Sequence, residues 1–294
     1  MKKNLYSLIT IIVVFVFLSL WGFYWAIRPI KILSTMTPSD FGVNYEDVSF
    51  HTKDNVLIRG WFIPSAKAKV KTIILLHGYP ADKGDILPAR IFLHPYYNLL
   101  FIDFRYFGKS EGRYSTVGKD EVLDLLAAIQ YLHSRGLNEV GVWGFSLGGA
   151  VALMAASQAP EIKAVIAESS YARLDWMAYE YYRLPLLRYP LAELTRFWAW
   201  LFLQYDIKKI LPAMAAEKLT IPVLLLHSQK DEVVSFQHAL LLQKALRNNP
   251  HAKVKFVDSL SHGQPVENYQ VIAKEFFNEY LGDVDNSTNP RKRH

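Results

Sequence analysis

Residues 140–156 constrain this chain more than any other stretch. Val140-Gly141-Val142-Trp143 favours an extended strand, Gly144-Phe145-Ser146-Leu147-Gly148 turns tightly, and Ala150 to Ala156 reads as a buried helix. A Gly-x-Ser-x-Gly turn between strand and helix forces its central residue into a strained conformation, with glycines where a Cβ would clash. The Ser146 hydroxyl is then expected to stand above the sheet, at a helix N-terminus whose free N–H groups favour developing negative charge. Ser146 is therefore the candidate nucleophile. The competing reading is a structural glycine-rich turn, and the choice rests on whether the chain supplies a base, an acid and an oxyanion donor.

The flanking sequence alternates between strand and helix. Val43 to Thr52 and Val56 to Ile63 alternate in polarity around Lys53-Asp54-Asn55, which predicts a β-hairpin. Lys71 to Leu76, Asn98 to Asp103, Ala164 to Ala167, Ile221 to His227 and Lys253 to Val257 are short runs suited to strands of a largely parallel sheet. Helices are predicted over Asp82–His94, Gly118–Ser134, Phe236–Asn248 and Val266–Leu281. Strands alternating with helices give a doubly wound α/β sheet, the fold class expected here. One stretch breaks the alternation: about 171–219, crowded with Trp176, Tyr179, Tyr181, Tyr182, Tyr189, Phe197, Trp198, Trp200, Phe202 and Tyr205.

The N-terminal end follows different rules. After Lys2-Lys3, residues Asn4 to Ile27 carry no charge. At about 1.5 Å per residue, such a helix crosses the roughly 30 Å hydrocarbon layer of a membrane. A cleaved signal peptide would have an apolar core of only about 7–15 residues. This run is longer and ends in Trp21-Gly22-Phe23-Tyr24-Trp25, an aromatic cluster suited to the membrane interface. The expectation is a single-pass transmembrane anchor over residues 1–30, a linker over 31–42, a catalytic domain over 43–281 and a disordered basic tail over 282–294. The amino terminus with Lys2 and Lys3 narrowly outweighs Arg28 and Lys31, a bias that predicts the domain on the extracytoplasmic side. Asn286-Ser287-Thr288 matches a glycosylation acceptor.

Candidate partners for Ser146 come from loops that follow predicted strands. His262, after the last strand, is the base favoured among nine histidines. Asp231 follows the preceding strand and completes the chain order Ser, Asp, His. Glu232 beside it and Glu168 after the strand that follows the elbow are the alternative acids. The oxyanion donors are the backbone N–H of Leu147 and, from the loop at His77-Gly78-Tyr79-Pro80, that of Tyr79, since Pro80 has none to give.

Composition removes several classes. There is no cysteine, so disulfides, thiol catalysis and cysteine metal sites are excluded. The net charge of +6 is spread thinly outside Lys67-Ala68-Lys69-Val70-Lys71 and Arg291-Lys292-Arg293, and no basic helix or aromatic platform points to nucleic acid.

Leu75-Leu76-His77-Gly78-Tyr79, Asp103-Phe104-Arg105-Tyr106-Phe107-Gly108-Lys109-Ser110-Glu111-Gly112, Gly144-Phe145-Ser146-Leu147-Gly148-Gly149, Lys230-Asp231-Glu232-Val233-Val234 and Ser261-His262 together resemble the α/β-hydrolase superfamily. They look most like its membrane-anchored serine hydrolase branch, related to serine aminopeptidase and monoacylglycerol-lipase-like proteins. The resemblance covers about Tyr45 to Leu281. It implies an α/β-hydrolase fold, Ser146 with Asp231 and His262, no cofactor, a structural role for Asp103 to Gly112, and a helical cap formed by the 171–219 insertion. Arg105-Tyr106-Phe107-Gly108 departs from the Arg-Gly-x-Gly common in such proteins, which alters that loop's flexibility. An aromatic cap on an anchored enzyme suggests an ester or thioester of an apolar or acylated molecule. A peptidase shares every one of these residues, and a non-catalytic binding protein on the same fold has no physical need for all three.

Overall fold

The computed structural model describes residues 2–67, 70–258, 261–264 and 268–282. The predicted helix start at Val266, the tail beyond Gly282 and the Asn286 acceptor lie outside them.

In chain order, the long helix α1 (Lys2–Ile27) precedes the hairpin β1 (Glu46–His51) and β2 (Leu57–Ile63). Then come β3 (Thr72–Leu76), the single turn α2 (Leu87–Arg90), β4 (Asn98–Ile102), α3 (Glu121–Ser134), β5 (Val140–Phe145), α4 (Leu147–Ala156) and β6 (Ile162–Glu168). The insertion carries α5 (Leu174–Tyr181), α6 (Arg188–Leu203) and α7 (Pro212–Ala216). β7 (Val223–Ser228), α8 (Phe236–Ala245), β8 (Ala252–Val257) and α9 (Tyr269–Leu281) complete the described chain.

The strands form one sheet in the order β1-β2-β4-β3-β5-β6-β7-β8. β1 and β2 pair antiparallel, β2 runs antiparallel to β4, and every later pairing is parallel. The apolar runs are buried on both faces, as their unbroken hydrophobicity requires. In β3, Ile73 and Leu75 join the cluster holding Trp143 and Phe277, while Ile74 and Leu76 join the one holding Leu125 and Val151. All four are fully buried, each contributing about 1.5–3 kcal/mol through area removed from water. At the far edge, β8 alternates, with Lys253 and Lys255 exposed.

The helix predicted over Asp82–His94 is mostly absent. Only Leu87–Arg90 is α-helical, continued by a 3₁₀ turn at Ile91–Leu93. The cause is local: the Asp82 carboxylate accepts from the N–H groups of Gly84 and Asp85, and Lys83 N–H donates to Asp103. Side chains that bind backbone donors in this way compete with helix formation.

The first half of α1 is exposed, whereas its last turns pack on the domain. Ser19 and Phe23 are buried, the Trp198 indole donates to the Ser19 hydroxyl at 3.0 Å, and Phe23 stacks on Phe202. The chain then leaves along the domain surface, where the Tyr106 hydroxyl donates to Pro29 O and Ser34 is held by Asp82.

Candidate active site

The order of strand addition reverses at β3, which pairs in parallel with β4 on one side and β5 on the other. Open α/β sheets bind ligands at such switch points, outside the carboxyl ends of the strands. Leu76 is in register with Gly144, and Phe145 with Glu168. The residues that follow β3, β5 and β6 therefore emerge together, and the loops after β7 and β8 lie on the same edge.

Ser146 occupies the turn between β5 and α4 with φ 53° and ψ −112°, a conformation that L-residues rarely adopt. Its N–H donates to Glu168 O at 2.8 Å, which ties the turn to the neighbouring strand. Two glycines make the turn possible. A Cβ on Gly144 would sit 2.1 Å from the backbone of Gly148, and one on Gly148 would sit 2.6 Å from Leu76 O. Leu147 opens α4, so its N–H has no acceptor within the helix.

Asp231 and His262 meet through a 2.7 Å hydrogen bond between Oδ2 and Nδ1. The other carboxylate oxygen of Asp231 accepts from Val233 N and Val234 N. Burial pushes the Asp231 pKa upward, but the bond from His262 and these backbone donors outweigh it and hold the carboxyl below its ordinary value. With Nδ1–H given to a carboxylate, the His262 Nε2 is left as the proton acceptor. The ring packs on Phe145, the residue before Ser146, at 4.9 Å between centroids. Among the described residues no hydrogen bond joins Ser146 Oγ to His262. Such contacts are commonly long without substrate and tighten when it binds.

Of the alternative acids, Glu232 accepts from the His262 backbone N–H at 3.2 Å and does not touch the ring. Glu168 is committed elsewhere: its carboxylate pairs with the Arg90 guanidinium and accepts from Trp143 Nε1 at 2.9 Å. Arg90 in turn lies over the Trp143 ring at 3.7 Å. This buried pair braces the strand ends under Ser146, and no local pattern announces it because its members are far apart in sequence.

The loop after β3 is held from several sides. His77 is fully buried; its Nδ1–H donates to Gly78 O at 2.7 Å and its Nε2 accepts from Phe104 N at 3.0 Å. Those partners fix a neutral ring, and burial lowers its pKa. Asp103 accepts from Lys83 N, Lys83 Nζ and Lys109 N, so the Asp103 to Gly112 segment is fastened to this loop. The Tyr79 hydroxyl donates to Ala26 O at the end of α1, at 3.0 Å. That link was not foreseen, although Ser19, Gly22 and Ala26 place small residues along one face of α1, a pattern that favours close helix packing.

A cavity of about 590 Å³ opens between α5, the start of α6 and the Asp231 loop. Tyr179, Tyr182 and Leu186 line it together with Glu180, Arg183, Arg188 and Glu232, so its wall is mixed rather than purely apolar. Among the described residues no group of three His, Cys, Asp or Glu side chains is placed to hold a metal ion.

The sequence model of the prolyl oligopeptidase family matches residues 110–286. The protein YfhR of Escherichia coli O157:H7 is 29% identical over 202 residues, 66% of each chain. Protein bem46 of Schizosaccharomyces pombe is 29% identical over 216 residues, 70% of this chain and 67% of that one. Among solved structures, the Pyrococcus furiosus esterase Pf2001 superposes with a TM-score of 0.74 at 28% identity, over 87% of this chain and 98% of its own. The Pyrococcus horikoshii acylaminoacyl peptidase shares the fold with a TM-score of 0.65 at 18% identity, over 87% of this chain and 45% of its own. With an eight-stranded, mostly parallel sheet, a helical insertion after β6 and a family match over more than half its length, the chain belongs to the prolyl oligopeptidase family of α/β-hydrolases.

Proposed function

We propose that this protein is a membrane-anchored serine hydrolase that cleaves an ester or thioester of an acylated, amphiphilic molecule. The observation that carries the reading is the Asp231–His262 hydrogen bond beside a serine held at φ 53° on a strand-to-helix turn. Similarity to the Pf2001 esterase favours ester chemistry. A match to the thiohydrolase aneE of Aspergillus aculeatus, 28% identical over 45% of this chain, favours admitting a thioester. The cavity lies beside the Asp231 loop and its lining includes neither Ser146 nor His262; its mixed wall would suit the far end of a substrate with both an apolar and a polar part.

In this mechanism His262 Nε2 takes the Ser146 proton as Oγ attacks the substrate carbonyl. The oxyanion is met by the N–H groups of Leu147 and Tyr79, each such donor being worth about 2.7–4 kcal/mol of barrier. His262 then gives the proton to the departing oxygen or sulfur, leaving an acyl-Ser146. Water attacks that ester as His262 removes its proton, and the proton returns to Ser146 as the acid departs. Asp231 holds the imidazole in the required tautomer and stabilises its cation. α1 anchors the enzyme, with the domain on the extracytoplasmic side, opposite Lys2 and Lys3.

Labelling by a fluorophosphonate probe tests the assignment. The wild type should label and Ser146→Ala should not; persistent labelling of the variant would refute Ser146 as nucleophile. The family match also favours a second reading, a peptidase. A panel of acyl esters, acyl thioesters and peptide amides on the same protein separates the two, and faster turnover of the peptides would replace the ester reading.

A further inference from the structure

The anchor and the cap are not separate. α6 runs beside the last turns of α1, with Trp198 bonded to Ser19 and Phe202 stacked on Phe23. Trp198 also stacks on Phe202, so the two form one contact strip facing α1. Gly22 leaves room for the Tyr182 hydroxyl, which a Cβ there would meet at 3.3 Å. The end of α1 is thus committed to the domain, yet its apolar length is fixed.

A helix needs about 20 residues to cross roughly 30 Å of hydrocarbon at about 1.5 Å each. Counted from the first residue past Lys3, that reaches Phe23. The domain cannot stand clear of the bilayer on a free stalk: hydrocarbon must extend to the level of Ser19–Phe23, the residues already gripped by α6. Phe197, Trp200 and Leu201 share the turns of α6 that carry Trp198 and Phe202, and therefore share that level. They are exposed, at 46%, 60% and 45%, as are Trp21 and Trp25 of α1. Phe197 packs against Trp200 at 6.1 Å, so the apolar surface is continuous. The Arg196–Glu193 pair lies one helical turn or less from it. Aromatic rings beside charged groups are the composition of a membrane interface.

We propose that the outer face of α6, at Phe197, Trp200 and Leu201, is a second membrane contact that sits in the interfacial layer of the bilayer crossed by α1, seating the cap on the lipid surface. This rests on the reading of α1 as an anchor, and goes beyond it by giving the cap its own lipid-facing side.

The chain has no cysteine, so single labels can be placed without background. The full-length protein is reconstituted in phosphatidylcholine and phosphatidylglycerol vesicles with a fluorophore on one of Phe197→Cys, Trp200→Cys, Val13→Cys or Lys163→Cys. Quenching is read with lipids spin-labelled near the headgroup or deep in the acyl chain. Residue 13 is exposed midway between Asn4 and Phe23 on α1, and residue 163 lies at the opposite end of the sheet from the cap. Labels at 197 and 200 should be quenched most by the shallow lipid, the label at 13 by the deep one, and the label at 163 by neither. If 197 and 200 match 163 while 13 is quenched, the cap stands off the lipid and the proposal fails with the anchor intact. If 13 escapes quenching as well, the anchor reading itself falls and takes the proposal with it.

Discussion

The Tyr79 hydroxyl donates to the Ala26 carbonyl at 3.0 Å, so the loop assigned to the oxyanion also closes the C-terminal end of the apolar helix. Ser115 N–H takes the next carbonyl, that of Ile27, at 2.9 Å. Two of the helix's last carbonyls are thus satisfied by the domain. Tyr79→Phe keeps the ring and the backbone donor but leaves Ala26 O without this partner. It should cost about 0.5–1.5 kcal/mol, read as a lower unfolding midpoint. An unchanged midpoint would show that the contact adds nothing to stability.

Asp231→Asn preserves shape but offers His262 an amide in place of a carboxylate. Loss of the tautomer and of the cation's partner should lower kcat by about 10⁴-fold. Glu232→Gln keeps an acceptor for the His262 backbone N–H and, away from the imidazole ring, should leave kcat within about tenfold of wild type. Equal losses in the two variants would dissolve the distinction between these neighbours.

Arg90 and Glu168 are both buried, so removing one charge strands the other. Arg90→Met alone should destabilise by about 3–5 kcal/mol, and adding Glu168→Gln should restore much of that loss while keeping an acceptor for Trp143. A double-mutant cycle in denaturant measures the coupling directly, and additive effects would mean that the pair is not coupled.

Acid should weaken the fold through two buried histidines. Burial lowers the pKa of His77 below 6.5 in the folded chain, and His227 shifts the same way for the same reason. As pH falls below about 6.5, the unfolded chain binds protons that the folded chain does not, so stability declines. By linkage each histidine can account for up to about 2 kcal/mol at pH 5. Denaturation midpoints between pH 7.5 and 5 should fall, and His77→Gln should flatten the slope. A slope unchanged by that variant would exclude His77 as its source.

What was legible in the chain was local or periodic. β3 and β5 were readable because Thr72 to Leu76 and Val140 to Phe145 are nearly unbroken apolar runs, and the Ser146 turn because its strand, glycines and helix are contiguous. The hairpin followed from alternation around Asp54-Asn55, and Asn55 does take a left-handed φ of 64°. The failures came from side chains that reach across the chain. Asp82 spends its carboxylate on Ser34 and on its own loop, which dissolves the helix expected there. Arg90 finds Glu168 only once the sheet is built. The grip of α6 on α1 has no amphipathic stripe to announce it, because α1 is apolar all round, and the small residues Ser19, Gly22 and Ala26 mark a packing face without naming the partner.

The outer strand has a consequence for crowding. β8 is an open edge, and an open edge invites another molecule to add to the ladder. Lys253 and Lys255 stand exposed along it, with Lys253 paired to Glu279. Adding a second copy would bring ammonium groups of both chains together and strip them of water. If α1 anchors the chain, neighbouring copies meet edge to edge in one plane, where two lysines on the exposed border disfavour their joining into a ribbon.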